Sequence, residues 1–240
     1  MSALDASIAQ GHTLRELPGG IFSAMPEDEV GAPYDRKAAA YDRLIPSRAY
    51  NRLLWGTHPG EYRRFALEAA SAAAREGGPL LEVAGGTGVF TVDAYRAATV
   101  EAVLSDLSVG MLERARDRVS KAEGPGQVHL LQADALDLPF APAQFAVVAA
   151  MGALHVFADL PAVLRSLRGQ VAQGGQLYLS ALVAETRIGS RYLRVLHRAG
   201  EVSPPISQSQ LTRTIASELK VTPHVERRGS MVYIKARVES

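Results

Sequence analysis

Cysteine is absent from the 240 residues. That excludes a disulfide framework, a thiolate metal site and a cysteine nucleophile, and it leaves the redox compartment unmarked. Charge of one sign is missing as well. With 26 basic against 25 acidic residues the formal net charge is +1, and the arginines are scattered. No overall field favours nucleic acid or an anionic membrane. Long apolar runs are lacking; the longest, Phe145 to Ala158, contains His155 and is too short to span a bilayer. The first residues carry acids and no cationic-then-apolar layout, so no secretory signal is expected and the cytoplasm is the default location. Neither a repeat nor a low-complexity tract is present, and no metal site is expected.

What the sequence does contain is concentrated between Leu80 and Gly88. The apolar run Leu80-Leu81-Glu82-Val83 leads into Ala84-Gly85-Gly86-Thr87-Gly88, and Val89 to Tyr95 reads as the start of a helix. This is the first strand, loop and helix of a nucleotide-binding α/β fold, where glycine lets the backbone turn tightly beside a ligand. A dinucleotide fingerprint would place a third glycine or alanine at position 91, which is Thr91. A P-loop would end in Lys-Ser/Thr, which is also missing. The loop carries an acid, Glu82, and no cation, which suits a ligand end that is itself cationic, such as an ammonium group.

Two further carboxylates narrow the ligand. The next strand, Thr99 to Ser105, ends at Asp106, about 20 residues beyond the loop, where an acid can accept both ribose hydroxyls. Ser108 caps the following helix, whose stripe is Met111, Leu112, Ala115 and Val119. A third strand, Gln127 to Gln132, leads to Ala133-Asp134-Ala135. Asp134 can accept from an adenine amino group while the amide of Ala135 donates to the ring. Acids for ribose, adenine and an amino-acid end together describe S-adenosylmethionine.

From about Tyr34 to Val183 the chain resembles the class I methyltransferases, in their methyltransferase-11 or ubiquinone-biosynthesis-like branch. Five ordered blocks carry the resemblance. They are Tyr34 to Asp42, Glu82 to Gly88, Asp106 to Met111-Leu112, Ala133-Asp134-Ala135 with Leu138-Pro139-Phe140, and Phe145 to His155 followed by Gln173-Gly174-Gly175. Two positions depart from the pattern: Ala84 stands at the first glycine, and Ala146 at a customary acid. The resemblance implies an α/β, Rossmann-like, doubly wound mixed sheet of seven strands in the order 3-2-1-4-5-7-6, with an N-terminal helical lid. It implies S-adenosylmethionine as cofactor, with Tyr41 closing over it. The cofactor-binding set is then Tyr41, Glu82, Ala84, Gly85, Gly86, Gly88, Asp106, Leu107, Met111, Asp134, Ala135, Ala150 and Met151; Met111 either touches adenine or packs in its helix.

Around this core, residues 1–31 read as a flexible arm and 32–240 as one domain, with a lid at 32–60 and a helical substrate-side insert at 184–219. A helix bearing Tyr62, Phe65, Ala66, Ala69, Ala70 and Ala73 ends at Gly77-Gly78. A closing hairpin pairs Val221–Arg227 with Met231–Val238, and Pro223 assigns its first strand to a sheet edge. Tyr192 and His197 sit in the insert. An Asn/Asp-Pro-Pro-aromatic turn is missing after the fourth strand, where Ala149-Ala150-Met151-Gly152 stands instead, so a flipped base is disfavoured and a small-molecule acceptor expected. Ile45, Leu53, Leu54 and Trp55 make that acceptor apolar.

Methyl transfer from a sulfonium needs chiefly alignment, and a base only for a weakly acidic nucleophile. His155, after the fourth strand, is the candidate catalytic residue; otherwise it packs beneath the cofactor. A second function stays open: a methyltransferase fold that binds the cofactor without transferring its methyl, as a cyclase, decarboxylase or ligand-binding module.

Overall fold

The computed structural model describes residues 8–26, 42 and 44–239. In chain order the strands are β1 (Arg15–Leu17), β2 (Ile21–Ser23), β3 (Leu80–Val83), β4 (Glu101–Asp106), β5 (Gln127–Gln132), β6 (Phe145–Ala150), β7 (Val171–Leu182), β8 (His224–Arg228) and β9 (Met231–Arg237). The helices are α1 (Arg48–Tyr50), which runs into a π-helical turn over Asn51–Trp55, α2 (Pro59–Glu76), α3 (Val92–Ala97), α4 (Val109–Val119), α5 (Leu160–Gln170), α6 (Arg187–Arg198) and α7 (Gln208–Leu219).

The strands form a single sheet in the order β1-β2-β5-β4-β3-β6-β7-β9-β8. Its last seven members reproduce the expected order 3-2-1-4-5-7-6. The sheet is parallel from β2 through β7 and antiparallel for the β1–β2 hairpin and for β9 and β8. The expected edge strand is indeed β8.

Two strands exceed the expected seven, and they come from the stretch read as a loose arm. Ile21 pairs with Leu130 and Ser23 with Gln132, extending the sheet beyond β5. Ile21 is fully buried, and Ser23 Oγ donates to Gln132 Oε1 at 2.8 Å. Each strand is three residues long, too short to display a period, and the turn between them uses left-handed backbone at Gly19 and Gly20. Packing against β5 and α4, with Arg116 folded over Gly19, supplies the stability that local pattern does not advertise.

The sheet is covered on both faces, as alternation along its strands requires. Leu81, Val83 and Val103 join α5 and α7 in one core, while Leu80, Ala102 and Ala149 join α2, α3 and α6 in the other. Ala66, Ala69, Ala70 and Ala73 of α2 are fully buried, letting that helix lie close to the sheet. It starts at Pro59, capped by His58, and stops at Gly77 in left-handed conformation. Val171 follows α5 directly and opens β7, whose pairing with β6 shifts register between Phe145 and Val147. Among the described residues no helix is long and apolar enough to cross a membrane.

Candidate active site

The glycine loop leaves β3 at Ala84, whose φ of 55° lies in the left-handed region. A side chain there is strained, so the departure noted in the sequence falls on a position whose backbone favours glycine. At Gly85 an added Cβ would lie 2.7 Å from Leu104, and at Gly88 it would lie 2.4 Å from Val92. Loop glycine is therefore demanded by packing onto β4 and α3.

Asp106, at the tip of β4, holds this loop. Its carboxylate accepts from the amide of Gly86 at 2.8 Å and from the amide of Ser108 at 2.9 Å. Ser108 caps α4 as expected, accepting from Met111 N. Asp134, beyond β5, accepts from the amide of Leu136 at 2.9 Å. Leu107 and Leu136, each next to or near one of these acids, are 42% and 53% exposed.

Beside the loop lies a cavity of about 490 Å³, within the usual size for a small-molecule site. Of the residues chosen from the sequence, Glu82, Ala84, Gly85, Met151 and His155 line it. Gly86, Gly88, Asp106, Leu107, Met111, Asp134, Ala135 and Ala150 do not; Met111 and Ala150 have buried side chains. The two strand-tip acids thus stand outside the cavity and Glu82 stands in its wall. Tyr41 lies outside the described residues.

Glu82 is buried, and its Oε2 has no hydrogen-bond partner; nor have the buried Thr91 Oγ1 and Tyr95 Oη. Burial pushes the Glu82 carboxyl up to about 8. The hydroxyls of Thr91 and Tyr95 oppose that shift, and the charge of Asp106 adds to it. A buried carboxyl in a cavity wall, its Oε2 without a partner at hydrogen-bond geometry and only the hydroxyls of Thr91 and Tyr95 favouring its charge, fits a cationic ligand end, because an ammonium there would both pair with it and ionise it.

His155 follows β6 on the loop 151–156. Burial pushes its imidazole down to about 4, so it is neutral at pH 7. The amide of Leu182 donates to Nδ1 at 3.3 Å, which leaves the proton on Nε2. The ring is therefore a donor, with its acceptor nitrogen already engaged. Its carbonyl accepts from the amide of Ser203 at 2.9 Å, tying the loop to the chain after α6.

The remaining walls come from residues 44–55, α2, α6 with the segment after it, and β9. Ile45, Trp55 and Tyr192 were singled out in the sequence and all line the cavity. Leu53 is 69% exposed, Leu54 packs on the core, and His197, itself not in the lining, donates to the carbonyl of the lining residue Val202. Tyr50, Trp55 and Tyr192 form a ring cluster with centroids 5.4–6.3 Å apart. Tyr62 stacks on Phe90 at 4.7 Å and meets Tyr233 edge-on at 5.8 Å. Tyr50, Phe90, Glu201 and Tyr233 were missed, since each comes from a different element and no local spacing joins them. Also missed was a tie behind the loop: Asp42 accepts from Thr87 Oγ1 at 2.7 Å and pairs with Arg118 of α4.

Residues 80–175 match a family model described as a methyltransferase domain. Ubiquinone/menaquinone biosynthesis C-methyltransferase UbiE of Pseudomonas fluorescens (strain Pf0-1) is 32% identical over 162 residues, 65% of this chain and 60% of that protein. The protein of the same name from Stutzerimonas stutzeri (strain A1501) is 33% identical over 163 residues, again 65% and 60%. The chain thus spans about 60% of the length of these curated relatives. An O-methyltransferase family protein from Burkholderia thailandensis shares the fold with a TM-score of 0.65 at 15% identity, covering 85% of this chain and 60% of that one. CurJ carbon methyltransferase does so with a TM-score of 0.55 at 19% identity, over 68% and 48%. With the strand order and the glycine loop, these matches show a methyltransferase domain over residues 80–175 on the Rossmann-like fold of the methyltransferase structures, with similarity in sequence to the UbiE proteins.

Proposed function

We propose that this chain transfers the methyl group of S-adenosylmethionine to a small-molecule acceptor bound in the cavity. The observation that carries the reading is the buried carboxyl of Glu82, unpartnered at Oε2, where the glycine loop meets the cavity wall. Glu82 would take the cofactor's ammonium, Asp106 its ribose hydroxyls, and Asp134 with the amide of Ala135 its adenine. Bound there, the cofactor supplies an electrophilic methyl carbon.

The protein's own part is alignment and exclusion of water. Apolar and aromatic walls from the lid, α6 and β9 hold the acceptor against the loop. His155 presents its Nε2–H and fixes β7 through Leu182, so it positions and donates; it does not take a proton. Relatives named as C-methyltransferases and fold neighbours named for O- or carbon methylation leave the accepting atom to the cavity's chemistry.

The test is turnover. The full chain, given methyl-labelled S-adenosylmethionine and a panel of small amines, phenols and quinols, should produce S-adenosylhomocysteine and one labelled product. Cofactor binding with no S-adenosylhomocysteine formed above the blank for any acceptor would mean a binding module.

A further inference from the structure

The total charge of +1 conceals a local imbalance. Helix α6 carries Arg187, Arg191, Arg194 and Arg198, which at about 100° per residue fall within an arc of about 60° and so form one stripe. All are exposed, as are Arg48 and Arg52 of the adjoining segment 44–55. None of these arginines has an ion-pair partner among the described residues. Neither 44–60 nor 186–200 contains an acid. The flanking acids are engaged: Asp42 pairs with Arg118, Glu61 with Arg64, and Glu185 accepts from the amide of Gln208. Glu201, past the end of α6, lies in the cavity wall.

The stripe has an apolar border. Round the helix from the arginines come Val195 and Ile188, 55% and 59% exposed, and then Tyr192 and Leu196, which line the cavity. Segment 44–55 has the same ingredients. Leu44 and Leu53 are 45% and 69% exposed, while Tyr50 and Trp55 line the cavity and meet Tyr192 with ring centroids 6.3 and 5.4 Å away. Exposed aliphatic side chains grouped beside unpaired cations mark a surface that is covered in use. Guanidinium groups hold phosphate oxygens through paired hydrogen bonds. An anionic phospholipid surface presents those oxygens above an apolar layer that aliphatic side chains can enter. A nucleic acid offers the same phosphates, but its bases are gripped by flat rings, and the exposed residues bordering this stripe are aliphatic.

We propose that α6 docks this protein on an anionic lipid bilayer, with Arg187, Arg191, Arg194 and Arg198 meeting the phosphates and Ile188 and Val195 seated at the head-group boundary. Tyr192 and Leu196 of the same helix wall the cavity, so docking brings that wall to the bilayer. The contact is reversible, since one helix face holds a protein far less firmly than a membrane span. None of the docking residues lines the cavity, and the proposal stands apart from the methyl-transfer reading.

The experiment is co-sedimentation of the full chain with vesicles of phosphatidylcholine alone and of phosphatidylcholine and phosphatidylglycerol in equal parts. At low salt the chain should bind the mixed vesicles about tenfold or more tightly than the neutral ones, and added salt should close the gap. Arg191→Gln combined with Arg194→Gln should weaken that binding about tenfold or more, since each arginine near such a surface contributes about fivefold. Ile188→Ser combined with Val195→Ser should weaken it severalfold at unchanged charge. Both variants change exposed positions and should melt as the parent does, which separates docking from folding. Equal binding to both kinds of vesicle, binding to neither, or an arginine variant that binds like the parent overturns the proposal. Duplex DNA bound as tightly as the mixed vesicles, with the Ile188→Ser, Val195→Ser variant unaffected on both, would assign the stripe to a nucleic acid and overturn it too. Failure of S-adenosylhomocysteine to bind would strike the cofactor reading and leave the docking result standing.

Discussion

The carboxylate of Asp106 accepts the amide hydrogen of Gly86 at 2.8 Å, joining the tip of the second parallel strand of the motif to the turn that follows the first. The residue assigned to the ribose is thus also the one that shapes the loop. A second amide, that of Ser108, completes its grip at 2.9 Å.

Removing that carboxylate should therefore have two effects. Hydrogen bonds to a charged group contribute about 1.5–3 kcal/mol, so Asp106→Ala should lower folding stability by about that much. It should also weaken cofactor binding more than Asp134→Ala does. Denaturant unfolding and calorimetry read the two effects separately; intact stability with intact affinity would deny both roles.

The strain at Ala84 gives a second prediction, of opposite sign. A residue other than glycine in the left-handed region costs about 1–2 kcal/mol, and an added glycine costs about 0.4–1 kcal/mol through the unfolded chain. Ala84→Gly should thus raise stability by about 0.5–1 kcal/mol, and Ala84→Val should lower it. A thermal melt of the three proteins checks the order; a less stable glycine variant would contradict the backbone argument.

How much of this was legible in the sequence divides by range. Seven strands and the caps at Ser108 and Gly77 could be read because each is written within a few residues, whereas their order followed from the family resemblance. The β1–β2 hairpin could not, because its burial is decided by Leu130 and Gln132, more than a hundred residues away. The same holds for Asp42, which meets Thr87 and Arg118 across 45 and 76 residues. The cofactor acids stood out as single residues at strand tips. The acceptor wall did not, since Tyr50, Phe90, Glu201 and Tyr233 converge only in the folded chain.

Glu82 predicts a dependence on pH. Folded, it keeps its proton up to about 8, against an ordinary value of 4.5. Between those values the folded state binds more protons than the unfolded, so stability falls as pH rises. His155 acts in reverse: with about 4 folded against 6.5, it adds stability as pH rises through that window. Above about 6.5 only the Glu82 effect remains, so the melting temperature of the ligand-free protein should fall from pH 6.5 to about 8.5 and level off. Glu82→Gln should abolish that slope. Cofactor binding near pH 7 should release up to one proton, measured by calorimetry in buffers of different ionisation enthalpy. Absence of proton release would deny the pairing of Glu82 with the ammonium.

His155 was the candidate catalytic residue, and the proposal here makes it a positioning group, since its Nδ1 already accepts from the amide of Leu182. Asparagine can offer an oxygen near the place of Nδ1, so His155→Asn should keep the bond from Leu182 and turn over within about tenfold of the parent. The parent's rate should show no limb near the usual histidine value of about 6.5. A loss of about 10²–10⁴-fold at full cofactor occupancy, together with such a limb, would restore the base.

The central claim is that the glycine loop with Glu82, Asp106 and Asp134 is a site for S-adenosylmethionine, and its most direct measurement is calorimetric titration of the full chain with S-adenosylhomocysteine. A ligand that binds only the folded state must also raise the melting temperature by mass action. The account predicts one site per chain, a matching thermal shift, and affinity reduced at least tenfold in Asp106→Ala. No heat and no shift at millimolar ligand, or equal binding by the Asp106→Ala variant, would contradict it.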